Sequence, residues 1–539
     1  MSDSDQTYDL LAKINIIPHT HQKQGMEWCV ERHQIGGIIA DEMGLGKTLL
    51  ALMGILRNPV HKTLIIVPLA LLEQWVEAVQ MIIRHEPFVF HSSRAGHMKF
   101  DKADLEEENS NVFISTYNIM LRQGVLHKIE WDRVIYDEAH ILRNAKTKGF
   151  KAAASLASGE QWFLTGTPIQ NQTADIASLL QLLHNPITST DEDLKAQIGQ
   201  CMLRRTKASV GMALPTLTVT DIDVAWESAE EQRLATGIHS SLSFSNVDLD
   251  EKDSKPYQKI SAHYPLVLMT RAKQACTSSA LLKPFMAATF DPKEQAQHKV
   301  LTSSKFNALI AHVKGRLSNH KRKVIFTNFR DELDNIMQAL RTPEVTVAAI
   351  DGRTTASERR VILSETYDVL IMQINTGSVG LNLQKYSEVY IVGPGWNPAT
   401  EQQAIARCHR QGQTEEVNVF RLVMSSFTEA DLKQKKRQEE ETAREAAAVF
   451  ARDAALAAMS PEDRTAFEAA EQEAQAAKPV PRKKLKTQDS RTSTIDMYAR
   501  SKQLIKLEIA DEFIGGATPG ALPPYPRGQR PLTPADPLE

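Results

Sequence analysis

The chain is 539 residues long, which allows two or three domains of ordinary size, each able to bury a full core. Lys plus Arg number 63 against 66 Asp plus Glu, a formal net charge of −3, so no polybasic field covers the whole chain and any nucleic-acid site has to be a local patch. Cys29, Cys201, Cys276 and Cys408 stand far apart without a CxxC pair, which argues against zinc and a disulfide framework and for reduced thiols in an intracellular protein.

The N-terminal MSDSDQTYDL is acidic and lacks a signal-peptide pattern, and no apolar run approaches the ~20 residues that span a bilayer, so a soluble chain with no membrane partner is expected. From about Ile14 to Asp223, β-branched runs alternate with amphipathic stretches. Runs at 37–40 (GIIA), 63–67 (TLIIV), 112–114 (VFI) and 134–136 (VIY) predict buried strands, and 46–56 and the stretch after Pro68 predict helices. Strand, loop and helix in repetition imply a parallel sheet with helices on both faces. Residues 225–300 show no strand rhythm and read as helical. A second α/β block, about 305–424, carries predicted strands at 324–326, 345–350, 369–371 and 389–392. Beyond Thr428 the character changes. Residues 429–477 are rich in helix formers, with Ser460-Pro461-Glu462-Asp463 as a helix restart. The basic run 478–486 (KPVPRKKLK) reads as a nuclear localisation signal or a nucleic-acid patch, and 515–539 as a disordered tail. The predicted organisation is α/β: a lobe over 1–224, a helical linker over 225–300, a second lobe over 301–428, a helical and basic extension over 429–514, and the tail.

Two strings carry the chemistry. Asp41-Glu42-Met43-Gly44-Leu45-Gly46-Lys47-Thr48 lies between a strand ending at Ala40 and an apolar helix, the context of a phosphate-binding loop. Glycines let backbone N–H groups wrap phosphates, and the helix N-terminus adds positive potential. Lys47 would reach the β- and γ-phosphates, and the Thr48 hydroxyl would coordinate magnesium. Asp41 breaks the general GxxxxGK[ST] pattern, while its GxGKT core holds. Val134-Ile135-Tyr136-Asp137-Glu138-Ala139-His140 is a strand ending in two acids, at the end of a parallel sheet where ligands bind. There Asp137 would hold magnesium and Glu138 would orient and deprotonate a water.

Together with Leu164-Thr165-Gly166-Thr167-Pro168-Ile169-Gln170-Asn171, these strings resemble the helicase superfamily-two motors of the SWI/SNF type, which carry Asp at the position of Asp41. Leu203-Arg204-Arg205-Thr206-Lys207, Asp351-Gly352-Arg353-Thr354, residues 377–384 and the string QAIARCHRQGQ at 403–413 follow in the family's order, and the resemblance spans about His19 to Met424. It implies two RecA-like lobes, ATP and Mg2+ as cofactors, and an ATP-dependent double-stranded DNA translocase acting in chromatin remodelling, repair or displacement of bound proteins. Its partners would be duplex DNA and nucleosomes or other chromatin proteins, in the nucleus.

Carried over by position, Gln22 reads the adenine, and Asp41, Met43, Gly44, Leu45, Gly46, Lys47 and Thr48 hold the phosphates, with Thr48 and Asp137 on magnesium. Lys47, Asp137, Glu138 and the arginine fingers Arg407 and Arg410 are catalytic, and both arginines also touch the nucleotide. His140, Thr165, Thr167 and Gly380 couple nucleotide state to lobe position, and Thr116, Arg353, Thr354 and Trp396 contact nucleic acid. Three positions depart from the family: Ala70 replaces a common Ser, Arg353 a Ser or Thr, and Gln411 an Ile or Leu. Arg271-Ala272-Lys273-Gln274-Ala275-Cys276 and Leu281-Leu282 resemble a linker of the RING-bearing repair branch, but the cysteines are too few for a zinc-bearing ligase insert. Two other readings stay open: a non-cycling DNA clamp, and a strand-separating DNA or RNA helicase.

Overall fold

The computed structural model describes residues 3–91, 110–122, 124–183, 190–240, 242, 265–289, 303–377, 381–427 and 494–514. The predicted helical stretch at 429–477, the basic run at 478–486, the tail at 515–539 and Gly380 lie outside the described residues. Among the described residues no helix is long and apolar enough to cross a membrane. The described residues form two compact units, one drawn from 3–222, 306–423 and 499–514, the other from 223–305, 424–427 and 494–498.

The first unit is built on two parallel sheets. One contains β1 (Gly36–Ile39), β2 (Thr63–Val67), β3 (Phe88–Phe90), β4 (Val112–Thr116), β5 (Trp131–Asp137), β6 (Ser158–Leu164) and β7 (Met202–Leu203), in the order β3-β4-β2-β5-β6-β1-β7. Its strands are buried on both faces, and their alternation divides the side chains between two cores. Ile38, Leu64, Ile66, Val134 and Tyr136 enter one; Ile39, Ile65, Val67 and Ile135 enter the other. Register matters more for function. Ile39 pairs with Leu164, and Leu164 with Asp137. The chain therefore leaves β1, β6 and β5 side by side, at the carboxyl edge where open α/β sheets bind ligands.

The other sheet contains β8 (Leu217–Val224), β9 (Lys323–Thr327), β10 (Val347–Ile350), β11 (Val369–Gln373), β12 (Glu388–Ile391) and β13 (Val417–Met424), in the order β10-β11-β9-β12-β13-β8. Strand β8 corrects the sequence reading, which kept residues up to 224 with the first lobe. Hydrogen bonds from Val417 N to Thr216 O and from Ser425 N to Val224 O set it parallel to β13. Its mixed sequence, LTVTDIDV, has no feature that selects one sheet over the other; the pairing decides.

Residues 499–514 of the helix Ile495–Ile514 also belong to this unit and touch both sheets' surroundings. Arg500 Nε donates to Asp221 (3.1 Å), Gln503 to Gly395 O (2.9 Å) and Lys506 Nζ to Trp396 O (2.7 Å), all on the second sheet's side. Further along, Phe513 enters the first sheet's core, with Ile509, Ala510 and Ile514 packed against it. A helix-forming sequence was expected here; its role as a strap was not.

The second unit contains the helices Ala229–His239 and Pro265–Thr277 in the region expected to be helical. Two of its buried polar groups find partners within it. His239 is fully buried, bonds Ala235 O (2.7 Å) and accepts from Ile495 N (3.0 Å), and burial holds its imidazole pKa down at about 4. Lys305 and Asp496 form a buried ion pair.

Candidate active site

The loop after β1 turns back on itself through two left-handed glycines, Gly44 (φ 91°) and Gly46 (φ 82°). The backbone conformation favours glycine at Gly46, and a Cβ there would stand 2.3 Å from Gln22 Nε2 and displace that amide. Lys47 and Thr48 open the helix Lys47–Arg57. Lys47 Nζ donates to Asp41 O (2.7 Å), and burial pushes its pKa down. Asp41 is 1% exposed, and its carboxylate receives Arg205 Nε (2.9 Å) and Nη2. That pairing explains an acid where the general pattern has glycine: the side chain clamps the loop to the segment after β7.

Asp137 ends β5. Its carboxylate accepts from Trp75 Nε1 (2.7 Å) and from Glu138 N (2.9 Å), and its carbonyl from the Tyr117 hydroxyl (2.8 Å). Burial first, and the charge of Glu138 second, push its pKa up to about 6. Glu138 follows at φ 51°, a left-handed conformation that costs a non-glycine residue about 1 kcal/mol. Its carboxylate lies 3.2 Å from His140 Nδ1. Burial works against the Glu138 charge, but His140, Lys47 and Arg407 together outweigh it and hold its pKa below the usual carboxylate range.

The loop after β6 meets the phosphate loop directly: a Cβ on Gly166 would stand 2.6 Å from Met43 Cγ and 3.5 Å from Lys47 Nζ. From this loop a hydrogen-bond relay runs outward. Thr167 N donates to Thr165 Oγ1 (3.2 Å), and Gln170 Nε2 donates to Thr167 Oγ1 (3.0 Å). Gln170 Oε1 accepts from Arg143 Nη1 (2.6 Å) and from Asn397 Nδ2 (2.8 Å). Asn397 caps the helix Pro398–Cys408 of the second sheet, accepting from Ala399 N (3.0 Å).

That helix carries Arg407 in its last turn, and Arg410 follows its end. Burial pushes Arg407's pKa down, while the charges of Glu138 and Asp137 act to raise it, so the guanidinium is within electrostatic reach of both acids. Arg410 Cβ lies 3.7 Å from where a Cβ on Gly44 would stand. Arg410 Nε is buried and has no hydrogen-bond partner among the described residues, and burial lowers this arginine's pKa. A buried guanidinium N–H without an acceptor fits an anionic ligand.

Two family models match these segments: the SNF2-related domain over residues 21–200 and the helicase conserved C-terminal domain over residues 304–412. The chain belongs to the SNF2 family of helicase-like ATPases. A probable global transactivator of the Orgyia pseudotsugata multicapsid polyhedrosis virus is 28% identical over 459 residues, covering 78% of this SNF2 chain and 89% of the viral protein. An uncharacterized ATP-dependent helicase of Mycoplasma genitalium is 28% identical over 451 residues, and an ISWI chromatin-remodeling complex ATPase of Saccharomyces cerevisiae 27% over 458. Each match covers 78% of this chain but only 41% and 39% of those longer relatives. Among solved structures, a Sulfolobus solfataricus SWI2/SNF2 ATPase core in complex with dsDNA matches 83% of this chain and 96% of its own, at 24% identity and a TM-score of 0.36.

In this SNF2 chain Lys47, Asp137, Glu138, His140 and Arg407 lie in one electrostatic neighbourhood, Thr165 and Thr167 share the adjoining loop, and Arg410 stands beside the Gly44 turn. Thr48 is half-buried in the first helical turn. The Gln22 amide is occupied at both ends, donating to Leu45 O (3.2 Å) and accepting from His19 N (2.9 Å). The four nucleic-acid candidates do not come together. Thr116 is 2% exposed at the end of β4. Arg353 and Thr354 follow β10 and Trp396 follows β12, three strands apart in the sheet, or about 14 Å at ordinary strand spacing. Arg353 is already held by Asp334 (2.7 and 3.0 Å) and Asp351 (2.7 Å). The sequence reading assigned no role to Trp75, Tyr117, Gln170, Asn397, Arg205 or Lys207. Gln170, Arg205 and Lys207 stood inside quoted motifs, and Tyr117 and Asn397 beside the nucleic-acid candidates Thr116 and Trp396. Trp75 had no signal beyond being an aromatic that, once buried, needs a hydrogen-bond partner.

Proposed function

We propose that this chain hydrolyses ATP with magnesium in the crevice between the phosphate loop and the Pro398–Cys408 helix. Closure of one sheet's loops on the other would drive movement along double-stranded DNA, in chromatin remodelling or displacement of bound proteins. One observation carries the reading: Arg407 and Arg410 come from the second sheet's helix and the turn that follows it, while the acids and glycines they approach come from the first. Hydrolysis that needs groups from both sides is tied to their relative position, and that tie converts chemistry into displacement.

The residues suit the ligands. Left-handed Gly44 and Gly46 open the loop's N–H groups, and the buried Arg410 Nε calls for an acceptor. Among the described residues no three His, Cys, Asp or Glu side chains gather as a metal cage. Nucleotide-bound magnesium asks less, one or two carboxylates with phosphate and water, and Asp137 with Thr48 meets that. Magnesium–ATP would supply the electrophilic phosphorus. Lys47, Arg407 and Arg410 would neutralise charge on the phosphoryl oxygens, worth about 10³–10⁵ in rate for such arginines. Glu138, kept ionised, would orient the water and take its proton. Thr165, Thr167, Gln170 and Asn397 would pass nucleotide state to the second sheet's helix.

Duplex DNA as the track is supported by the kinship with an ISWI chromatin-remodeling ATPase. Trp396, Arg353, Thr354 and Thr116 are the proposed phosphate contacts, with Arg353 having to leave its aspartates to take part. A nuclear address would rest on the basic run at 478–486.

Lys47→Ala and Glu138→Gln are each expected to cut DNA-stimulated ATP turnover by on the order of 10³ while leaving the circular dichroism spectrum and melting unchanged. Turnover near wild type in either variant would remove the assignment. Duplex DNA should stimulate more than single strands or RNA, and stimulation should fall steeply with salt. Equal stimulation by RNA would point to a strand-separating helicase, and DNA binding without turnover to a clamp.

A further inference from the structure

Lys207 belongs to neither the phosphate loop nor the arginine pair, yet it bonds to the loop and to the residue before Arg410. It lies four residues beyond β7, on the path that leads to β8 in the other sheet. Its N–H donates to Glu42 Oε2 (2.8 Å), and its ammonium stands 3.3 Å from Glu42 Oε1. The same ammonium donates to the carbonyl of His409 (3.0 Å), the residue immediately before Arg410. Glu42 is part of the phosphate loop and 5% exposed, and Lys207 is 9% exposed. At Gly44 the two chains converge: a Cβ there would meet Lys207 Cε at 3.5 Å and Arg410 Cβ at 3.7 Å.

His409 is the C-cap of the Pro398–Cys408 helix, where backbone carbonyls lack intrahelical donors and the helix dipole is negative. A cation is favoured at that end, and a lysine is long enough to join it to a carboxylate on another element. The His409 ring is held as well, Nε2 lying 2.8 Å from Pro215 O on the same connecting path. The turn bearing Arg410 is thus fastened to the first sheet's side by Lys207 and to the approach to β8 by the His409 ring.

We propose that Lys207 is a positioning residue for the arginine pair: by bridging Glu42 and the His409 carbonyl it seats Arg410 against the Gly44 turn. The proposal rests on the ATPase reading above. Displacing a charge-stabilising group by about 1 Å can cost on the order of a hundredfold in rate. A directional bridge between buried groups holds that distance better than a surface contact would.

The test is a double-mutant cycle on the full chain, read by single-turnover ATP hydrolysis with enzyme in excess, which resolves slow rates, and by steady-state kcat and KM. Lys207→Met is expected to lower the hydrolysis rate about tenfold, the worth of one charge-assisted hydrogen bond, with KM for ATP within about twofold. In an Arg410→Ala background the same change should add almost nothing, because the group it positions is gone. Glu42→Gln should reproduce the pattern; its amide oxygen still accepts the Lys207 N–H, which protects the loop should Lys207→Met fold poorly. Equal loss in both backgrounds, with Arg410→Ala itself crippled, would overturn the positioning role and leave the ATPase reading standing. Undiminished hydrolysis in Arg410→Ala would remove the arginine assignment and the latch with it.

Discussion

Asp137 and Glu138 are neighbours in one buried crevice, and their surroundings separate them. Trp75, a backbone N–H and burial surround the first; His140, Lys47 and Arg407 bias the second toward its charged form. The folded protein binds a proton at Asp137 more tightly than an unfolded chain does, since its pKa is raised to about 6 from an unfolded value near about 4. Ionising it therefore costs folding free energy: nothing below about pH 4, progressively more as pH rises through about 6, and the full amount above. Asp137→Asn is expected to raise the melting temperature of the ligand-free protein at about pH 7.5, to lose that advantage toward about pH 4.5, and to abolish turnover. A variant that melts lower at neutral pH would show that the charge is not a burden. The acidic pair itself was plain in the sequence as a strand ending in Asp-Glu. The left-handed backbone at Glu138 and the indole on Asp137 were not, because each depends on residues 60 or more positions away or on a conformation the residue type disfavours.

At the level of elements, the Pro398–Cys408 helix acts as a ruler. Its 11 residues span about 16 Å, from Asn397 on the Gln170 relay to Arg407 near the acids. The Asn397 side chain has two jobs: Oδ1 caps the helix and Nδ2 reaches Gln170. Asn397→Asp keeps the cap and loses the donor; Asn397→Ala loses both. Alanine is expected to cost about 1 kcal/mol more stability than aspartate by thermal melting. Both should lower ATP turnover to a similar degree, since both break the relay. An aspartate variant with full turnover would show that the relay is not used. An Asn-Pro pair is a favoured helix start by residue type. Which side of the molecule the capping amide would face was not legible in the sequence.

Across the first unit, the Ile495–Ile514 helix is the feature that local sequence concealed. Its polar residues Arg500, Gln503 and Lys506 serve the second sheet's side, while Phe513 enters the first sheet's core beneath Lys195, whose ammonium stands 4.7 Å from the ring centroid. Phe513→Ala is expected to cost about 3 kcal/mol of local stability, read as faster amide hydrogen exchange over residues 499–514 with the sheets' exchange little changed. Unaltered exchange there would mean the helix is not anchored by that ring.

The chain's own order of residues was enough for the parallel α/β class and most strands, and it pointed to the loop and the strand-end acids, because glycine, acid and β-branched patterns act over a few residues; the arginine pair rested on the family resemblance. Tertiary structure alone decided that β8 joins the second sheet, that Asp41 is an anchor for Arg205, that Lys207 joins Glu42 to His409, and that a C-terminal helix straps the unit. Each of these is a pairing between partners more than 100 positions apart, and no short-range pattern encodes which of many compatible partners a buried charge or a strand edge will meet.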